Sequence, residues 1–205
     1  MMAQALTKER LMTVEEYLAF EEKSKIKHEY MDGEIFAMAG VKRNHSLANT
    51  NISTELNLQL RDSDCEVHIS DFRVRVRETH FVYPDVAVAC GEIDVETSGE
   101  IETLINPLVI FEVLSKSTEK RDRGEKAEDY FKISSLRDYI LVSQNRMRVE
   151  HFHRESDNKW SLIIYEKPED VLILDSINCK LTLRQIYLKI NFPNLKVMKS
   201  KKNGR

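Results

Sequence analysis

The sequence predicts one mixed α/β (α+β) domain, a layered sheet with helices before and after a central pair of strands. Three observations point there. "YPDVAVAC" and "PLVIFEVL" are near-continuous apolar runs, as expected of central strands covered on both faces. "NHSLANTNISTELNLQLRD" spaces Leu47, Ile52, Leu56 and Leu60 close to a helical repeat. "FRVRVRE" alternates Phe72, Val74 and Val76 with Arg73, Arg75 and Arg77, the period of a strand with one wet or basic face.

Taken in order, "TVEEYLAFEE" starts a helix, because Thr13 and Glu16 form a capping box. "KHEYMDGEIFAMA" is a hairpin around Asp32-Gly33, the strongest short turn signal. The amphipathic helix begins near Asn44 and runs to about residue 61. "CEVHIS" and "FRVRVRE" are strands, and the second is expected to pair with the Asp85 strand that follows it. Residues 91–106 are acidic and loop-like, and "RDRGEKAEDYFKI" is a short helix capped by Asp122 and Glu125. "DYILVSQ", "RVEHFHRE", "WSLIIYE" and "VLILDS" are strands, and "LTLRQIYLKI" is a closing helix. The domain spans 13–190, with an N-terminal extension (1–12) and a basic, solvated tail (191–205).

With 205 residues the chain can bury a sizeable core, and at 41% hydrophobic and 32% charged its mixture is that of a globular protein. A net charge of −3 gives no global basic excess, so nucleic-acid binding would need a local groove. Cys65, Cys90 and Cys179, an odd number with no C-x-x-C, fit reduced thiols in a cytoplasmic protein better than a disulfide frame. No apolar stretch approaches the roughly 18 residues of a membrane span, and no secretory signal is read.

The chemistry lies in two acids. Asp85 follows Pro84 at the head of one apolar run, and Glu112 sits inside the next. A buried carboxylate is costly unless paired, hydrogen-bonded or metal-bound. On neighbouring strands about 4.8 Å apart, two such side chains can converge on one ion. Two carboxylates, the backbone carbonyl of Val113 and waters make a natural Mg²⁺ site. The alternative is that each acid pairs with a buried arginine or caps a turn.

Pro84-Asp85 followed by Glu112-Val113-Leu114 resembles the PD-(D/E)XK nuclease superfamily. The ordered set "HEYMDGEI", "NHS", "SDFRVRV", "YPDVAV", "EVLSKSTEKRDRGEKAEDY" and "LRDYILVSQ" is similar to the Uma-type family of restriction endonucleases, numerous in cyanobacteria. The resemblance implies a restriction-endonuclease-like mixed β-sheet core flanked by helices. It also implies Mg²⁺-dependent hydrolysis of DNA phosphodiester bonds, with Mn²⁺ as a possible substitute. It places the family's aspartate on Asp85 and its glutamate on Glu112. The superfamily's lysine would fall at 114, which is Leu114 here. The resemblance includes Lys126, in "DRGEK", as the replacement cation, while Lys116 shares a strand face with Glu112 and competes for that role.

Further candidates are Glu29 and Glu34, either of which can be a third acid, Asp71 at a strand start, and His45 at the opening of the long helix as a phosphate contact. His151 and His153, two apart on a strand, share a face and could pair on a transition metal, but with no third partner in the sequence the reading is of ordinary strand histidines. Arg73, Arg75 and Arg77 form one candidate nucleic-acid face, and Lys120, Arg121 and Arg123 another. A homodimer is expected, since nucleases that cut both strands work as two-fold pairs. Two rivals stay open: a nucleic-acid-binding module of the same fold that has lost cleavage, and an interaction protein whose acids are structural.

Overall fold

The two apolar runs become β6 (Val86–Cys90) and β9 (Val109–Leu114), antiparallel neighbours in the interior of a six-stranded sheet. This computed structural model describes residues 11–38, 40–115 and 118–192. Lys116 and the outer parts of the expected extension and tail lie outside the described residues. From edge to edge the sheet runs β12 (Lys159–Tyr165), β11 (Val149–Ser156), β10 (Asp138–Ser143), β9, β6 and β3 (Cys65–Ile69). β9 and β10 are parallel, with Glu112 beside Leu141, and the crossover between them carries α3 (Glu119–Arg123) and α4 (Glu125–Tyr130).

Strand alternation splits the apolar side chains into two cores. Val86, Val88, Val109, Phe111, Val113, Ile140 and Val142 fill one face. There α2 (Arg43–Leu60) lays Ala48, Ile52, Leu56 and Leu60 on the sheet, each four residues after the last. Full burial of Ile52 and of Leu56 is each worth about 1.5–3 kcal/mol. The hairpin of β13 (Val171–Leu174) and β14 (Cys179–Thr182), with α5 (Leu183–Ile186), completes that layer. Ala87, Ala89, Ile110, Leu114, Tyr139 and Leu141 fill the other face, and Glu112 is interspersed among them by the same alternation.

A second six-stranded sheet covers that other face, in the order β2 (Glu34–Ala37), β1 (His28–Met31), β5 (His80–Val82), β4 (Arg73–Arg77), β8 (Ile101–Leu104) and β7 (Val95–Ser98). Val74, Val76, Val82 and Leu104 are its contribution to the shared core. The β1–β2 hairpin forms as read, with Asp32 and Gly33 both at positive φ (50° and 95°). Helix α1 (Val14–Glu21) has the expected Thr13–Glu16 capping box and stacks Tyr17 on Tyr30, ring centroids 4.8 Å apart.

Five expectations are corrected. β4 pairs with β5 and β8 in the second sheet, not with the Asp85 strand, because those two strands occupy both of its edges. Residues 91–106 are not all loop: β7 and β8 form a hairpin turning at Gly99, whose φ is +61°. The crossover helix breaks at Gly124, which is the N-cap of α4, so Asp122 and Glu125 do not form the expected cap. The closing helix is only four residues long. Finally, Cys65 and Cys90 are joined in a disulfide, because the register of β3 on β6 sets them directly opposite. The cysteine argument for a reducing compartment therefore lapses, while Cys179 is free and buried. Among the described residues no helix is long and apolar enough to cross a membrane.

The disulfide closes a chain separation of 25 residues. Reducing it, or replacing Cys90→Ser, is expected to lower the unfolding free energy by about 2–4 kcal/mol. Urea titrations with and without dithiothreitol measure this; identical midpoints would show that the bond does not form in solution.

Candidate active site

Glu112 lies on β9, and Asp85 immediately precedes its antiparallel neighbour β6 rather than lying within that strand. Pro84 cannot donate to the ladder, so the sheet is open where the chain enters β6. Asp85 occupies that opening. Its Oδ2 accepts the Val113 amide at 2.7 Å, and its Oδ1 is 2.7 Å from His45 Nε2 and 3.5 Å from Asn49 Nδ2. His45 and Asn49 are four apart on α2 and therefore share a face. An extended residue presents its N–H and C=O to the same side, so Val113 offers its carbonyl on the edge that carries Asp85. The Nδ1 of His45 is buried without a partner.

Glu112 meets the crossover. Its Oε1 is 2.7 Å from the Lys126 ammonium and accepts the Tyr130 hydroxyl at 2.8 Å. Lys126, only 3% exposed, also reaches Glu29 Oε1 at 2.8 Å and Asp122 Oδ1 at 3.8 Å. The second oxygen of Glu29 is paired with Arg121, whose guanidinium lies 4.7 Å from the Phe36 ring. Leu114 is buried in the core, and its carbonyl accepts Gln144 Nε2 at 3.0 Å. The ammonium therefore comes from the crossover while position 114 stays apolar. Lys126 makes no ion pair with Asp85 among the described residues.

Burial pushes the Glu112 carboxyl up to about 8; Lys126 opposes the rise, while Asp122, Asp85 and Glu29 add to it. Burial also raises Asp122 against the pull of Lys126. For Glu29, burial is outweighed by Lys126 and Arg121, which hold it below the ordinary range. Burial pulls Lys126 down, but Glu112, Glu29 and Asp122 hold it above its ordinary value. The Glu112 and Lys126 shifts pull apart, one toward a protonated acid and the other toward an intact ammonium. The ammonium is the charge to keep, because three carboxylates face it. Glu112 answers to one cation and three negative neighbours. Four carboxylates (Asp85, Glu112, Asp122, Glu29) face two cations (Lys126, Arg121); fully ionised they would leave a surplus of two negative charges, and without a metal the proton held by Glu112 removes one of them. A divalent ion with hard oxygen preference matches both that surplus and that donor set.

Several expected residues stand elsewhere. Glu34 is exposed at the rim of an open depression with Asp32, Arg77 and Glu125, so of the two glutamates it is Glu29 that reaches the Lys126 cluster. Asp71 is exposed and paired with Lys27. Arg73 is sealed inside, its guanidinium lying between Tyr17 and Phe81 and its Nε on Thr103, so it cannot touch nucleic acid. Arg75 is paired with Glu96, Arg77 with Asp32 and Asp129, and Arg123 with Glu119 and Glu150. Arg73 and Arg75 thus tie strands within the second sheet, and Arg77 ties that sheet to α4. Tyr130, Asn49 and Gln144 were not foreseen at the site, whereas Asp122 stands where four-residue spacing sets it as a partner of Lys126. The same spacing from Lys126 would have found Tyr130, and from His45 it would have found Asn49.

A mixed central sheet with an acid at the head of one strand, an acid within the next and a cation from the crossover defines a protein of restriction-endonuclease-like fold. The chain belongs to the Uma2 family, described as "Putative restriction endonuclease", whose pattern matches residues 14–185. It is 36% identical over 182 residues to the uncharacterized protein slr1290 of Synechocystis sp., covering 88% of this chain and 94% of that one. A second Synechocystis protein, sll1609, is 36% identical over 163 residues, covering 79% and 90%. In fold the chain is similar to the crystal structure of a putative nuclease belonging to DUF820 from Anabaena variabilis. The TM-score is 0.71 at 18% identity, over 86% of this chain and 97% of that one.

Glu112 also sets a pH dependence. Its ordinary value is 4.5 and its folded value about 8, so the folded chain holds the extra proton between the two. Its contribution is favourable below the ordinary value and is lost as pH rises through about 8, with a slope on the order of 1 kcal/mol per pH unit. In EDTA, stability should fall across that window, and Glu112→Gln should flatten the profile. A wild-type profile without that fall, or a slope that survives the substitution, would place the titrating group elsewhere.

Proposed function

We propose that this chain is a metal-dependent nuclease that hydrolyses DNA phosphodiester bonds. The observation behind this reading is the excess of carboxyl groups over cations around Glu112. Asp85, Glu112 and the Val113 carbonyl would hold Mg²⁺, with Mn²⁺ as a substitute. When bound, the ion supplies a Lewis acid for a phosphate oxygen and lowers the pKa of a coordinated water. His45 and the Val113 amide fix Asp85, and Tyr130 fixes Glu112, so neither carboxylate must reorganise during reaction. Lys126 stands beside Glu112 to balance charge that grows on the phosphate, and Glu29 orients its ammonium.

The substrate contact moves away from the paired arginines. Lys42 and Arg43, at the start of α2, and Arg146 and Lys120 are exposed and make no ion pair with a described residue. Asn44 and Gln144 link two of these segments, since Asn44 Nδ2 donates to the Gln144 carbonyl at 3.3 Å. These cations can replace the counterions of a phosphate backbone.

One observation favours the degenerate binding module instead. Lys126 is enclosed and saturated by carboxylates, as a purely structural lysine would be. Plasmid and oligonucleotide cleavage in Mg²⁺, Mn²⁺ and EDTA separates the readings. The nuclease predicts cutting that needs metal and falls by about 10²-fold or more in Asp85→Asn and Glu112→Gln. Salt-dependent DNA binding without cutting or metal binding selects the degenerate module; no DNA binding selects the interaction protein. Lys126→Met is not expected to keep the fold unharmed, because removing one partner of a buried pair costs about 3–5 kcal/mol.

The reading includes a homodimer. β12 is a free edge of the first sheet, and Leu162, Ile163 and Ile164 on it are 49%, 44% and 45% exposed. Bare apolar edges invite strand pairing. Antiparallel self-pairing centred on Leu162 sets Asp157, five residues before, against Lys167, five after, in the second copy. Light scattering should give twice the chain mass, and Leu162→Lys, which opposes like charges at the dyad, should give the monomer. A monomeric wild type would remove the dimer from this reading.

A further inference from the structure

We propose that Asp138, His151 and His153 form a second cation site, for a zinc-class transition metal, on the face of the first sheet opposite Glu112. The antiparallel register sets His153 against Asp138 and His151 against Ile140, which brings all three side chains to one face of the β10–β11 pair. His151 Nε2 lies 2.6 Å and His153 Nδ1 2.7 Å from the same oxygen, Asp138 Oδ1, and the three ligand atoms lie within 4.8 Å of one another. Asp138 and Ile140 have the same parity on β10, whereas Glu112 sits beside Leu141 on the other parity. The two sites therefore share no residue and lie on opposite faces of the sheet.

The donor set separates them chemically. Two imidazole nitrogens and one carboxylate suit Zn²⁺, Co²⁺, Ni²⁺ or Cu²⁺, whereas Mg²⁺ wants oxygen throughout. Three protein ligands leave a fourth position for water, and the site opens to it through His153, whose side chain is 36% exposed. Asp138 itself is fully buried, and its second oxygen accepts the hydroxyl of Ser176, which orients the carboxylate as outer partners of metal ligands do. His151 is 3% exposed, and its Nδ1 has no partner. Its only polar tie is thus the nitrogen aimed into the cluster. Without a metal, the same groups form a hydrogen-bonded knot with two rings on one oxygen. With one, β11 is clipped to the start of β10 through the ion, which keeps one position open to water.

The test uses the full, untagged chain stripped with EDTA and returned to metal-free buffer. Titration with Co²⁺ should produce visible absorption bands of a low-symmetry four-coordinate ion at one equivalent per chain. Zn²⁺ should displace them, and excess Mg²⁺ should not. Calorimetric affinity for Zn²⁺ should fall at least about tenfold in His153→Ala and in His151→Gln, and be unchanged in Glu112→Gln. The half-exposed His153 makes its variant the one that keeps the fold, and Zn²⁺ should raise the melting temperature of the wild type but not of that variant. Absence of Co²⁺ and Zn²⁺ binding by folded wild type would overturn the site. So would binding untouched by His153→Ala, or binding lost in Glu112→Gln. None of these outcomes depends on cleavage, so the site stands or falls apart from the nuclease reading.

Discussion

Lys126 is enclosed by Glu29, Glu112 and Asp122, which come from the second sheet, the first sheet and the crossover that joins β9 to β10. An ammonium in this position cannot be solvated, so its charge must be met by the protein. Meeting it brings three segments from distant parts of the chain to one point. The β1–β2 hairpin is drawn over the end of the first sheet, α4 is held against β9, and Tyr130 is carried one turn on to reach Glu112. The carboxylates exceed the cations around them, and this imbalance is what turns a structural cluster into a candidate site for a divalent ion.

The second sheet supplies the walls of this arrangement. Arg77 joins Asp32 of the β1–β2 turn to Asp129 of α4, and His80 reaches the same Asp129 at 2.7 Å. Arg73 passes through the layer between aromatic rings, with two of its nitrogens unpartnered. Of the three arginines in "RVRVR", Arg73 and Arg75 bond within the second sheet, to Thr103 and Glu96, and Arg77 alone bonds two acids and so ties that sheet to α4.

The first sheet separates two kinds of polar cluster by the alternation of its strands. Oxygen donors gather where β6 and β9 part, and a cluster that includes two imidazoles gathers where β10 and β11 begin to pair. Each is held by a different covering layer: α3, α4 and the second sheet for Glu112, and the 3-10 turn at Asp175–Ile177 for Asp138.

Local pattern sufficed wherever one segment decided its own state. The apolar runs of β6 and β9 could only be covered strands, Asp32-Gly33 could only turn, Thr13 and Glu16 could only cap, and Ile52, Leu56 and Leu60 could only share a helix face, although Ala48 rather than Leu47 takes the buried place before them. The same patterns isolated Asp85 and Glu112, since a lone acid in an apolar run is conspicuous. Which neighbours those acids meet was not a local matter. Glu29 and Glu34 are indistinguishable by type, and only the register of β1 against β2 buries one and exposes the other. The partner of His151 and His153 lies on another strand, Cys65 meets Cys90 through a register, and Arg75 meets Glu96 across two strands. Sequence fixes the period of an element and therefore its faces. Pairing between elements depends on closing long loops and on which edge is taken first, and that is settled only when the whole chain has packed.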